Sequence, residues 1–473
     1  MAALALAGCA TSPPPAEVLD RALKATGADR LDSLRYEAAG TGATFGQAYT
    51  AGGAWPRITV HGVTRHIDYR AAAMREEIML SRAEPQGGGG YPLSGQQRND
   101  QYLSGELAWN LAGTNVTPGG RFVAERIHQL WVTPHGALKA AQRHGATAAR
   151  GEDGGSAIAF TVPGRLAATV HVGADGLVRR IDSTFPDPVM GDTRAVTRYG
   201  DWRDAGGGVR FPMRIEQSVG GHPTLALAVT AVQPNAPVSL PVPDAARDTT
   251  ERVTADVAAP GVWFLGGGSH NSVLIEQTDH LILVEAPLGD ARSQAVIDRA
   301  KALVPNKPIR WLVNSHPHFD HAGGLRTAVA EGATIVTHQA NVPWLERLFA
   351  QPNSVRPDAM ARAGKPPRLR GVGDRADIGD AARPVELHRI TGGPHHDGMV
   401  MVWLPRERLL IEADAFTPPP PNTPPPAVPN ANNVNLVENI ERLKLPVDRI
   451  LPLHGRVVPL AALYEATGRT PPR

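Results

Sequence analysis

With 473 residues, the chain is long enough for two or three domains of ~100–200 residues each, and its 42% apolar content is globular rather than disordered. Forty-eight Lys+Arg against 46 Asp+Glu leave a net charge of +2, which excludes a whole-protein basic surface of the kind that holds nucleic acid. A single cysteine excludes a disulfide framework and any Cys-based zinc ribbon, so metal chemistry here has to use histidine and carboxylates.

That cysteine is Cys9. The opening run of small apolar residues ends in Leu6-Ala7-Gly8-Cys9 and is followed by Thr11-Ser12-Pro13-Pro14-Pro15. It is far too short to span a bilayer, which takes ~20 residues. It resembles the lipobox of a bacterial lipoprotein signal, although no basic residue precedes Arg21. The resemblance implies a lipoprotein signal and Pro-rich tether over residues 1–15, lipidation at Cys9, and an exported, periplasmic or outer-membrane-anchored lipoprotein of a Gram-negative bacterium. Ala10 after the cysteine favours the outer membrane. Membrane contact is expected only through this anchor.

Residues 16–34 read as a short helix with Val18, Leu19, Leu23, Leu31 and Leu34 as its apolar positions. From Tyr36 to Gln233 short alternating runs such as Thr169-Val170-His171-Val172 are punctuated by turn signals such as Ala174-Asp175-Gly176. This part, 16–250 as a domain, is expected to be β-rich and antiparallel. Its last segment, Tyr199 to Asn235, resembles the closing strands of lipoprotein-carrier half-barrels, curved sheets around an apolar hollow. Prolines crowd 234–260, and the domain boundary is placed there. Beyond it, over 251–473, strands alternate with helices. Strands are expected at 272–276, 281–285, 309–313, 334–337, 385–390, 399–404, 409–411 and 449–451. Helices are expected at 290–303, from about 322, around 343–349 and at 433–443. This is an α/β pattern. Residues 350–383 and the proline cluster 418–429 read as long loops of the kind that shape a pocket.

After the strand 309–313 comes Asn314-Ser315-His316-Pro317-His318-Phe319-Asp320-His321, three histidines and one aspartate within six residues. Pro317 blocks a helix, so His316 and His318 leave an extended stretch on one side. Asp320 and His321 then open the next helix and turn towards a second point. Imidazole and carboxylate suit zinc better than calcium or magnesium.

Here the chain resembles the metallo-β-lactamase superfamily. Its pattern continues in order through Gly392-Gly393-Pro394-His395-His396-Asp397-Gly398, Glu412-Ala413-Asp414 and Leu453-His454-Gly455. The resemblance implies a four-layer αββα sandwich preceded by the β-rich curved sheet. It also implies two Zn(2+) per chain, one held by His316, His318 and His395. The second would be held by Asp320, His321 and His454, with Asp414 between the two. His396 falls one place late for the family's histidine. Glu285 ends a strand where the family often has Asp, and either orients a ligand or is an ordinary strand-end carboxylate. His270, in the loop Gly266-Gly267-Gly268-Ser269-His270-Asn271, reads as a plain β-turn residue, with a place facing the metals as the other reading.

The expected function is a zinc-dependent hydrolase acting on a small molecule, in which a metal-bridged hydroxide cleaves an ester, thioester or lactone-like bond and Asp320 is the catalytic carboxylate. Asp at 414 resembles the glyoxalase II and lactonase members rather than true β-lactamases. Two alternatives stand beside it. One is a mononuclear-iron oxidoreductase like the persulfide dioxygenases, using His316, His395 and Asp414. The other is a lipid- or hydrophobe-binding lipoprotein.

Overall fold

The computed structural model describes residues 14–83 and 95–470. Cys9 and the expected tether up to residue 13 lie outside the described residues.

The first helix, α1 (Pro15–Thr26), is shorter than the expected 16–34. Proline at its first position is pre-organised for helix, and Gly27 ends it in the left-handed region at φ 74°. A Cβ on Gly27 would also lie 2.2 Å from the Gly208 carbonyl, so only glycine fits. Leu34 then belongs to the strand β1 (Ser33–Ala43) rather than to the helix.

Among the described residues, β1 is central to a 13-stranded antiparallel sheet, paired with β2 (Arg57–Asp68) on one side and the strand His222–Pro234 on the other. Strand by strand, the chain meanders outward from β1 to Asn115–Pro118. It then crosses to the opposite edge at Ala146–Arg150 and meanders back. The crossing is made by two helices, α2 (Val123–Trp131) and α3 (Pro134–His144), which the β-rich reading of 36–233 did not include. They pack on one face of the sheet together with α1. Leu130, Ala137, Leu138 and Ala141 meet Ile158, Val170 and Ile181 there in one apolar core.

The C-terminal part is a sandwich of two mixed sheets. The first runs Thr254–Ala259, Val262–Gly266, Ser272–Glu276, Leu281–Val284, Ile309–Val313, Thr334–His338 and Leu369–Val372. The second runs Arg375–Asp377, Glu386–Arg389, Val400–Leu404, Leu409–Glu412, Arg449–Pro452 and Val458–Pro459. Successive residues of a strand face opposite ways, and here both ways are buried. Val273 and Ile275 join the core between the sheets, while Leu274 between them joins the core under the helix Asp290–Leu303. The second sheet is covered by Leu436, Val437 and Ile440 of the helix Ala431–Leu443. Helix, sheet, sheet and helix are the four expected layers.

The stretch 350–383 is more than a loop. It supplies a short helix, Ala359–Ala363, and the edge strands Leu369–Val372 and Arg375–Asp377. It also docks on the N-terminal sheet. Asp192 Oδ2 accepts from Ser354 N at 2.8 Å and Ser354 Oγ at 2.6 Å, and Asp192 N donates to Pro352 O at 2.8 Å. No helix among the described residues is long and apolar enough to cross a membrane.

Candidate metal centre

The seven residues picked from the sequence as ligands come from four separate segments and converge at one end of the sandwich. His316, His318, Asp320 and His321 follow the strand Ile309–Val313. His395 lies in the loop before Val400–Leu404, Asp414 follows Leu409–Glu412, and His454 follows Arg449–Pro452. Three overlapping groups result, each with its ligand atoms within 4.8 Å of one another: His316, His318 and His395; His316, His321 and Asp414; and His270, Asp320, His321 and His454.

Asp414 lies between the two clusters. Its Oδ2 is 3.4 Å from both His316 Nε2 and His395 Nε2 and 2.7 Å from His321 Nε2, while Oδ1 is 3.2 Å from His454 Nε2. Its backbone sits at φ 57°, the left-handed region that an aspartate tolerates better than most residues. Glu412 braces that turn, its Oε2 accepting from Ala415 N and Phe416 N at 3.0 Å. Burial pushes the Glu412 carboxyl up to about 8, so it is neutral at pH 7 and adds no charge to the site.

Three of these histidines have a neighbour behind the ring. Ser315 Oγ lies 2.9 Å from His316 Nδ1, and His454 Nδ1 donates to Ser269 O at 3.2 Å. Glu285, fully buried, accepts from Ser315 N at 2.7 Å through Oε1 and faces His321 Nδ1 at 3.4 Å through Oε2. It stands behind a candidate ligand, the arrangement that fixes an imidazole tautomer and raises its basicity. His396 stays out of the three groups. Its Nδ1 accepts from Gly398 N at 3.0 Å while its ring backs His316 and His318.

His270 is where the plain-turn reading fails to describe the geometry. Ser269 Oγ holds its Nδ1 at 2.9 Å, and its Nε2 lies 3.1 Å from Asp320 Oδ2 within the second cluster. Two contacts fix the loop that carries it. Arg292 Nη2 donates to Gly266 O at 2.9 Å, and Asn271 Nδ2 donates to Gly455 O at 2.8 Å, beside His454. A histidine one residue beyond a glycine run that ends a strand was the only available signal. The sequence reading had no pointer at all to three N-terminal residues that also reach the site: Gln47, Ala48 and Tyr49.

The electrostatics follow from crowding imidazoles and carboxylates out of water. Burial pushes His318 down to about 3 and His270 down to about 4, keeping both neutral and able to donate a lone pair. Burial drives His316 well below its ordinary range, and the neighbouring His318, His321 and His395 reinforce it. Burial alone would raise Asp320 and Asp414, but the surrounding histidines outweigh it and hold both carboxyls well below the usual range.

This donor set fits metal ions. His316 Nε2 faces His395 Nε2 at 3.2 Å, and His321 Nε2 faces His454 Nε2 at 3.1 Å. Nitrogen pairs so apposed are separated as two ligands of one ion would be. His318 Nδ1 is buried with no hydrogen-bond partner. An unpaired buried acceptor costs about 1–3 kcal/mol, which a cation would relieve.

A metal-binding αββα sandwich is thus the class that fold and site define. Residues 265–454 match the family model of the metallo-beta-lactamase superfamily. The C-terminal part of the chain is a domain of that superfamily. Among solved structures, it is similar to a metallo-beta-lactamase from Pontibacter korlensis, at 14% identity over 46% of this chain and 98% of that one, with a TM-score of 0.35. DIM-1 metallo-beta-lactamase exposed to ceftazidime is similar at 14% identity over 47% and 97%, and TMB-1 at 15% over 46% and 95%, both with TM-scores of 0.35. No curated protein matches the chain.

Proposed function

We propose that the chain is a binuclear metallohydrolase that cleaves an ester, thioester or lactone-like bond in a small molecule, with two zinc ions as its cofactor. The observation that carries the reading is Asp414, whose Oδ2 lies between His316 and His395 of one cluster and His321 of the other, while its Oδ1 faces His454. When bound, two such ions supply hydroxide at neutral pH and polarise the scissile group. His316, His318 and His395 would hold the first. Asp320, His321 and His454, joined by His270, would hold the second. Asp320 stays ionised, and its placement suits it to orient the attacking water. Glu285 keeps His321 turned inward. The second cluster favours this reading over a mononuclear iron oxidoreductase, for which it would have no role.

Elemental analysis of residues 10–473 purified without added metal should find about two zinc ions per chain; a single iron would overturn the reading. A panel of esters, thioesters, lactones and β-lactams follows. His318→Ala and Asp414→Ala should each lower turnover of an accepted substrate at least 100-fold, and unchanged turnover in both would refute the mechanism. Export and lipid anchoring at Cys9 complete the proposal. Membrane fractionation should find the wild-type chain in the membrane and Cys9→Ser out of it.

A further inference from the structure

The loop between β1 and β2, residues 44–56, leaves the N-terminal sheet and ends on the metal cluster. Phe45 meets Phe319 edge-on with ring centroids 5.3 Å apart, and Trp55 meets the same ring at 6.1 Å. Between them Gly46, at φ 71°, approaches so closely that a Cβ there would lie 2.3 Å from Phe319 Cγ. The next three residues each touch a segment of the site. Gln47 Nε2 donates to Asp320 Oδ1 at 2.8 Å, and Ala48 O accepts from His318 Nε2 at 2.8 Å. Tyr49 O accepts from Asp397 N at 2.9 Å and the Tyr49 hydroxyl donates to Gly393 O at 3.3 Å, on either side of His395.

These contacts have chemical consequences. A neutral imidazole that donates Nε2–H to a carbonyl has its lone pair on Nδ1. Ala48 therefore selects the tautomer that offers His318 Nδ1, the buried unpartnered atom, to the cluster. Gln47 occupies one oxygen of Asp320 and leaves Oδ2 facing His270 and His321.

We propose that this loop is a working part of the metal centre: Gln47 and the Ala48 carbonyl position Asp320 and His318, so the N-terminal sheet sets how tightly the ions are held. The proposal rests on the two-metal reading of the site. Its test uses the full chain with Co2+ as the probe. Three quantities are measured: ions bound at saturation, the half-time of their release to a chelator, and the visible Co2+ spectrum. Gln47→Ala should release one of the two ions at least tenfold faster and shift the spectrum, with the other ion retained. Gly46→Val, which forces the turn away from Phe319, should weaken both. A loop that only packs would leave the spectrum unmoved. Two ions bound with wild-type spectra and release rates in both variants would overturn the proposal alone. Should Gly46→Val fail to fold, unchanged behaviour of Gln47→Ala suffices to overturn it. A wild-type chain that takes up no cobalt sinks the two-metal reading and this proposal together.

Discussion

Glu285 and Asp414 are both non-glycine residues at positive φ, 70° and 57°, and both have carboxylates turned towards His321. Such backbone persists where surrounding contacts over-determine it, and it gathers at functional sites. At the residue scale the sharpest prediction concerns His270. His270→Ala should reduce metal content towards one ion per chain; a count that stays at two would show a histidine that only hydrogen-bonds Asp320. Elemental analysis after dialysis distinguishes the two. The contiguous His316 to His321 motif was legible because the ligands share one short segment whose geometry Pro317 restricts. His270 was not, because its neighbours are turn formers that fit any loop. Gln47 was beyond reach, since its contact with Asp320 closes across 273 residues.

At the scale of elements, the helix Ala431–Leu443 anchors the loop that carries His395. Asn439 Oδ1 accepts from both the amide and the hydroxyl of Thr391, at 3.0 and 3.1 Å. Its Nδ2 and that of Asn435 donate to Thr391 O at 3.1 and 3.0 Å. Asn439→Ala removes three of these four bonds from a buried place and should cost about 1–3 kcal/mol by chemical denaturation. It should also speed metal loss without touching a ligand. The sandwich strands were readable because burial on both faces makes them continuous apolar runs, and Asp290–Leu303 and Ile309–Val313 fall where expected. Helices α2 and α3 were missed for a local reason. Each spans only about three turns, and Thr133-Pro134 between them reads as a turn, although Thr133 in fact caps α3 by accepting from Gly136 N. The stretch 350–383 read as loop because its strands hold only three or four residues at sheet edges.

For the molecule as a whole, stability should depend on pH through buried histidines far in sequence from the metal ligands. His128, held at 2.8 Å from Ser183 Oγ, is pushed down to about 3 by burial, and His135 to about 4. Both values lie below the ordinary 6.5, so the folded chain carries fewer protons than the unfolded chain at mildly acid pH. Their contribution is complete above pH 6.5 and is lost as pH falls, at about 1.4 kcal/mol per pH unit for each histidine. Denaturant midpoints between pH 7.5 and 5 should fall accordingly, and His128→Gln should make the slope shallower.

The pairing of β1 with His222–Pro234 bears on how the protein is made. That pairing joins the two halves of the N-terminal sheet, and every residue it needs is synthesised before His316 has been joined to the chain. At ~5–20 residues per second, the roughly 220 residues from Pro234 to His454 take on the order of 10–40 s to emerge. Domains fold as units, N-terminal first, so the turn bearing Gln47 and Ala48 should be held between two paired strands before the ligands follow, at the ribosome or, on the proposed export route, beyond the membrane. The ligands should then meet a finished template, so that the N-to-C direction in which the chain emerges sets the sequence in which the centre is assembled.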